Sequence, residues 1–228
     1  MPIIHNLKAI FIHIPKTAGT SIEYTLIDNA DKRNYKIEDE KNWYGNVKSP
    51  SKLYKSKFCY ELDHSTLRYM KNNCKFYDKT YFKFSFVRNP YARLVSEFHH
   101  CKFGSSRFFK KKEFNTFKEF VFLLKEKFNF VLENEQKNHW LVSHYLPQYK
   151  FTHDYRDKSL MDFIGKYENI EEDWNYICNK LNIEKKLIKI EKYSSNFNYN
   201  YEDYYDDELK NIVYNLYEKD FIYFNYKK

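Results

Sequence analysis

The chain of 228 residues is 43% hydrophobic and 31% charged, with 23 Tyr and 21 Phe; a disordered chain is excluded and a single packed domain is the expectation. Lys and Arg number 39 against 31 acidic residues, a net charge of +8. That balance points to an anionic partner, whether a nucleic acid, a membrane surface or a small molecule bearing phosphate or sulfate, and does not choose among them.

Ala9 to Ile14 is a short apolar run ending at Pro15. A loop of small residues follows, Lys16 to Ser21 (KTAGTS), and then Ile22 to Ile27 with apolar side chains suited to a helix face; the pattern reads strand, loop, helix. Residues 31–57 are polar and aperiodic, a surface excursion with turn signals at Gly45 and Ser49-Pro50. Phe58 to Leu62 is a candidate short strand and Ser65 to Asn72 a short helix opened by a hydroxyl cap, with His64 at their junction. Tyr81 to Val87 (YFKFSFV) is the strongest strand candidate, broken by Asn89-Pro90 before a helix from Tyr91 to about Cys101.

Further helices are expected where apolar residues recur at helical spacing: Phe117, Phe120, Val121, Leu124 and Phe128; Ile170, Trp174, Ile177, Cys178 and Leu181; Leu209, Ile212, Val213 and Leu216. Leu160 to Tyr167 (LMDFIGKY) adds one more buried strand. Strands alternating with helices predict an α/β fold, a mainly parallel central sheet flanked by helices, and the lack of repeats or linkers predicts one domain over 1–228. Cys59, Cys74, Cys101 and Cys178 form no C-x-x-C pair and are expected to be buried thiols. No run approaches the roughly 18 apolar residues needed to cross a bilayer, and the N-terminus lacks the order of a signal peptide.

Open α/β sheets bind ligands at the carboxyl ends of their strands. The first such loop, IPKTAGTS, runs into a helix whose unpaired N–H groups and positive dipole end attract an oxyanion. Lys16, Thr17, Thr20 and Ser21 add a charge and three hydroxyls, and Gly19 lets the backbone approach closely. The pattern differs from G-x-x-x-x-G-K-[ST], since its lysine opens the loop with no glycine ahead. After the YFKFSFV strand comes Arg88, a fixed cation with a planar donor fork, where an NTPase would place a magnesium-binding acid. The residues thus suit a nucleotide anion held without a divalent metal.

FIHIPKTAGTS (Phe11 to Ser21) and FVRNPYARLVSEF (Phe86 to Phe98) resemble the 5′-phosphosulfate loop and the 3′-phosphate motif of the nucleotide-sulfate-dependent sulfotransferases, in the branch acting on carbohydrates (HNK-1, chondroitin and heparan 2-O types). The resemblance continues through DFIGKYENIEEDW (Asp162 to Trp174) and more weakly into YEKDFIYF (Tyr217 to Phe224), leaving out roughly 31–57 and 103–135. It implies a P-loop-like sulfotransferase fold and transfer of a sulfuryl group from 3′-phosphoadenosine 5′-phosphosulfate (PAPS) to a hydroxyl of a glycan acceptor, releasing the bisphosphate PAP. It makes Lys16, Thr17, Gly19, Thr20 and Ser21 the 5′ cradle, and Arg88 and Ser96 the holders of the 3′-phosphate. Ser96 lies eight residues after Arg88, so its hydroxyl turns back toward the strand end only if an irregular turn at Asn89-Pro90 opens the helix. The chain as written is expected to be soluble and cytoplasmic, or Golgi-lumenal if an N-terminal anchor of the kind many relatives carry has been removed.

A sugar hydroxyl is a poor nucleophile at neutral pH, and a positioned histidine is the natural base. Of eight histidines, His64 lies between the two nucleotide motifs, where related glycan sulfotransferases place a catalytic His or acid, and is the expected base. Glu61 and Asp63 flank it, and His144 with Gln148 are candidate acceptor contacts. His13 reads as a hydrogen-bonded strand residue. His99-His100-Cys101 carries no metal expectation, because consecutive helix residues point apart. The alternative to the enzyme is a noncatalytic single-stranded nucleic-acid binder built on net charge and stacking aromatics.

Overall fold

A computed structural model describes residues 3–4, 7–31, 43–44, 64–74, 77–103, 106, 108–135, 139–184 and 200–228. Its strands are β1 (Ile3–Ile4), β2 (Ala9–Ile12), β3 (Trp43–Tyr44), β4 (Phe82–Val87) and β5 (Phe163–Lys166). Its helices are α1 (Gly19–Asp31), α2 (Leu67–Asn73), α3 (Pro90–Phe103), α4 (Phe117–Glu133), α5 (His139–Val142), α6 (Tyr149–Thr152), α7 (Ile170–Leu181) and α8 (Asp207–Tyr223). The chain packs as two compact units: Met1–Val87 with Lys150–Ile190, and Arg88–Tyr149 with Glu191–Lys228.

The first unit is the α/β part. Its sheet has the order β3-β1-β2-β4-β5. The three longer strands run parallel, Phe11 beside Phe84 and Phe86 beside Gly165, while β1 joins β2 and β3 antiparallel. β2 is apolar at every position because both faces are covered, as expected of a parallel strand. Phe11, Phe84 and Phe86 from the sheet meet Ile22 and Leu26 from α1 and Trp174, Ile177, Cys178 and Leu181 from α7 in one core. Each large apolar side chain buried there contributes roughly 1.5–3 kcal/mol.

The DFIGKYENIEEDW segment is the seam of that packing. The Asp162 carboxylate accepts the Lys83 backbone N–H at 2.7 Å, and Asp173 accepts that of Lys166 at 2.6 Å, so two acids fix the ends of β5. A Cβ at Gly165 would stand 2.6 Å from the Phe86 ring, which leaves glycine the residue that fits.

The second unit is helical, with α8 lying against α3 and α4. Its core is aromatic: Phe98 meets Phe117 at 5.5 Å and Phe120 at 5.7 Å between ring centroids, and Phe109 meets Tyr145 edge-on at 4.9 Å. The expected helices are present; α7 spans its apolar stripe from Ile170 to Leu181, while α4 and α8 run beyond theirs from capping residues. Thr116 and Asp206 accept the N–H groups of Glu119 and Leu209. α2 likewise starts from Thr66, one residue later than the Ser65 hydroxyl the sequence suggests. The candidate strand Phe58 to Leu62 and Cys59 lie outside the described residues. Cys74, Cys101 and Cys178 are buried thiols, as expected. No helix among the described residues is long and apolar enough to cross a membrane.

Candidate active site

The loop after β2 is organised by its backbone. Lys16 and Ala18 both take left-handed conformations, φ 69° and 65°, which non-glycine residues adopt at a cost and which cluster at functional sites. The buried Thr17 hydroxyl donates to the Ile14 carbonyl at 2.8 Å and ties the loop to its own entry. That leaves Thr17 to act on a ligand chiefly through its N–H. α1 begins directly at Gly19, so Lys16, Thr20 and Ser21, all partly exposed, stand at a helix N-terminus.

Gly19 has a reason the sequence did not show. A Cβ there would lie 1.9 Å from His13 Cδ2 and 2.1 Å from Nε2; the imidazole occupies the space a side chain would take. His13 is held in turn by Glu23, whose Oε1 is 3.0 Å from Nδ1, and both side chains are buried. His13 is thus the hydrogen-bonded residue expected, and its partner comes from the second turn of the helix it helps to seat.

His64 joins the same constellation. It sits in a turn at φ 54°, just before α2, with Nδ1 3.1 Å from the His13 carbonyl oxygen and its ring edge-on to the His13 ring at 4.4 Å. Since a carbonyl only accepts, Nδ1 is the N–H donor in that contact, and in the neutral ring Nε2 carries the lone pair. Glu61 and Asp63, the acids flanking it, lie outside the described residues.

In the second unit, Arg88 is the first residue after β4 and is partly exposed. Its backbone is clamped by Gln148, whose Oε1 accepts the Arg88 N–H at 2.9 Å and whose Nε2 donates to the Arg88 carbonyl at 2.8 Å. Gln148 is fully buried, so its expected contact with an acceptor gives way to a positioning role behind Arg88. Gln148 is itself held by Asp220 of α8, whose two oxygens accept the N–H groups of Gln148 at 2.7 Å and Tyr149 at 2.8 Å. Sequence inspection missed this aspartate, since nothing local marks a partner so distant along the chain.

The irregular turn expected ahead of Ser96 is absent. Asn89 caps α3 by accepting the Tyr91 N–H at 2.9 Å, and the Arg93 N–H bonds to the Asn89 carbonyl at 2.8 Å. The helix is therefore regular from Pro90, without the irregular turn needed to swing Ser96 back to the strand end. Ser96 is 4% exposed, nearly two turns into the helix. A phosphate meeting it would lie along those turns rather than at the helix tip. Arg93, next to the motif's core, is a brace: its guanidinium donates to the carbonyls of Leu146 and His144 at 3.1 and 3.0 Å. His144 places Nδ1 2.8 Å from the Glu97 carboxylate.

Burial pushes the Asp220 carboxyl up to about 6, against the pull of the two N–H donors and the positive Arg93. Between about pH 4 and pH 6 the folded chain therefore keeps a proton that the unfolded chain has lost, so this group's contribution to stability falls as pH rises. Relative to Asp220→Asn, which does not titrate, the wild type should lose up to about 3 kcal/mol between pH 4 and pH 7 in urea unfolding. Parallel stability curves for the two proteins would refute the raised carboxyl.

Comparison with known sequences bears on these loops. The profile described as the Sulfotransferase family matches residues 3–227. An uncharacterized protein of Archaeoglobus fulgidus is 36% identical over 110 residues, covering 47% of this chain and 72% of that protein. No solved structure matches.

Proposed function

The chain belongs to the sulfotransferase family, and from that premise we propose that it moves the sulfuryl group of PAPS onto a carbohydrate hydroxyl, with His64 as general base. Sulfuryl transfer asks of a protein what phosphoryl transfer does: alignment, and donors aimed at the charge that develops. Lys16 and the N–H groups opening α1 would take the leaving 5′-phosphate, and Arg88 with Ser96 the 3′-phosphate. PAPS is the donor when bound; the chain's own part is to hold its two phosphate ends and to remove the acceptor's proton. The family match leaves the nucleic-acid-binding alternative without support.

The observation that carries this reading is the contact of His64 Nδ1 with the His13 carbonyl, at the mouth of the loop bearing Lys16. It supports a basic Nε2 beside the proposed cradle, where a nucleophilic oxygen would approach the sulfur. Labelled PAPS offered with a panel of defined oligosaccharides and simple alcohols tests the reaction and identifies the acceptor. On the best acceptor, His64→Ala should lower kcat by about 10²–10⁴-fold and flatten the acid limb of the pH–rate profile, while PAP affinity changes less than about twofold. A collapse of PAP binding together with kcat would make His64 structural. Unchanged turnover would move the base to Glu61, Asp63 or His144.

A further inference from the structure

We propose that Glu97, His100 and His144 form a zinc-type divalent metal site in the helical unit, independent of whether the chain transfers sulfate. The consecutive residues His99-His100-Cys101 diverge on their helix. His99 turns to the Tyr204 hydroxyl at 2.9 Å, and Cys101 to Tyr145 at 3.1 Å. The grouping that converges skips two residues. Glu97 and His100 are three apart on α3 and share a face of the helix.

The third member is brought in by the turn after α5. Its backbone is fixed to α3, because Arg93, one turn before Glu97, grips the His144 carbonyl. His144 Nδ1 then lies 2.8 Å from Glu97 Oε2, and the His144 ring stacks on that of His100 at 5.3 Å with 16° between planes. One ligand atom from each of the three residues lies within 4.8 Å of the others. Tetrahedral zinc at 2.0–2.1 Å from its ligands separates them by about 3.3 Å, a closure within reach of side-chain rotation. Two imidazoles and a carboxylate are the donor set that suits zinc, with water completing the shell.

Two features fit an ion better than ordinary packing. Glu97 is 1% exposed while His100 and His144 are partly exposed, so the carboxylate forms the floor and the rings the rim of an approach open to solvent. The floor is also buttressed from behind. The Cys101 thiol donates to Glu97 Oε1 at 3.3 Å, and the Tyr145 hydroxyl contacts both that sulfur and Ser106 Oγ, the latter at 2.9 Å. Such second contacts orient ligating carboxylates. One divalent ion would satisfy both rings and the carboxylate together.

The test uses the full chain, stripped with a chelator, desalted and titrated with zinc chloride by calorimetry, with cobalt(II) absorption as a second reading. One equivalent should bind with a Kd in the micromolar range or tighter, raising the melting temperature by several degrees. His100→Ala, which keeps the Glu97–His144 pair, and Glu97→Gln should each weaken binding at least tenfold. A measurement on the wild type alone guards against variants that fail to fold. Zinc loading should protect His100 and His144, read by mass spectrometry, from modification by diethylpyrocarbonate. Less than stoichiometric binding at 100 µM zinc, unaltered affinity in both variants, or labelling of the two histidines that zinc does not slow would each overturn the site.

Discussion

Lys16→Ala should leave a folded protein whose sulfuryl transfer falls by at least about 10²–10³-fold, the loss expected when a donor aimed at developing charge is removed. In the proposed reaction negative charge grows on the 5′-phosphate as its bond to sulfur breaks, and the Lys16 ammonium would be the cation the loop supplies there. The two left-handed residues and the helix start at Gly19 keep that loop in place whatever the side chain at 16. Lys16 is only partly buried, so truncation opens no cavity in the core. Alanine meets the same φ of 69° with the same Cβ, so the backbone penalty is unchanged. The melting temperature should therefore move by no more than about 2 °C, within the usual range for substitutions at partly exposed positions. Lys16→Arg should recover little, because a planar fork does not replace a point charge on a short approach. Labelled transfer from PAPS, with circular dichroism to confirm folding, decides the matter. Near-normal turnover in the alanine variant would remove the proposed chemistry.

The parts of this molecule legible in sequence are those whose cause is local. β2 and β4 announced themselves by apolar and aromatic runs, and α4, α7 and α8 by stripes at helical spacing. The loop between β2 and α1 was legible as a loop because Pro15 and a run of small residues end the apolar strand before the helix begins at Gly19. What could not be read is polar pairing across long stretches of chain. Asp220 holds the Gln148 and Tyr149 N–H groups, and Gln148 in turn clamps Arg88; a lone acid in an aromatic helix gives no sign of either. Gly19 was read as making room for a ligand, whereas the space beside it holds the His13 ring. His13 and Glu23 do stand at readable positions, one before the loop and one in the helix after it. Only the folded loop, however, reveals that their side chains meet. The irregular turn expected before Ser96 is absent for a related reason: the Asn89 side chain, at an expected break, is a cap that makes the helix regular from its start.

The bisphosphate PAP should bind at least tenfold more tightly than AMP, the same nucleotide without its 3′-phosphate, and should stabilise the protein correspondingly more. Contacts between a fixed guanidinium and a phosphate are worth roughly 1.5–3 kcal/mol each, and a tenfold preference requires about 1.4 kcal/mol. In the proposed site Arg88 would make such a contact from a backbone whose polar groups are both taken by Gln148. That fixes the root of the side chain and lowers the entropy lost when the guanidinium engages an anion. Arg88→Ala should therefore erase most of the preference by weakening PAP while leaving AMP nearly unchanged, since AMP has nothing for the guanidinium to hold. Lys16→Ala should weaken both nucleotides, because both carry a 5′-phosphate. Magnesium should alter none of these affinities, in contrast to a triphosphate site whose metal bridges phosphate oxygens. A diffuse basic surface, with a net charge of +8 spread over it, would favour PAP only weakly and lose that preference steeply with salt. Equal thermal shifts for AMP and PAP in the wild-type protein would reject PAPS as the donor.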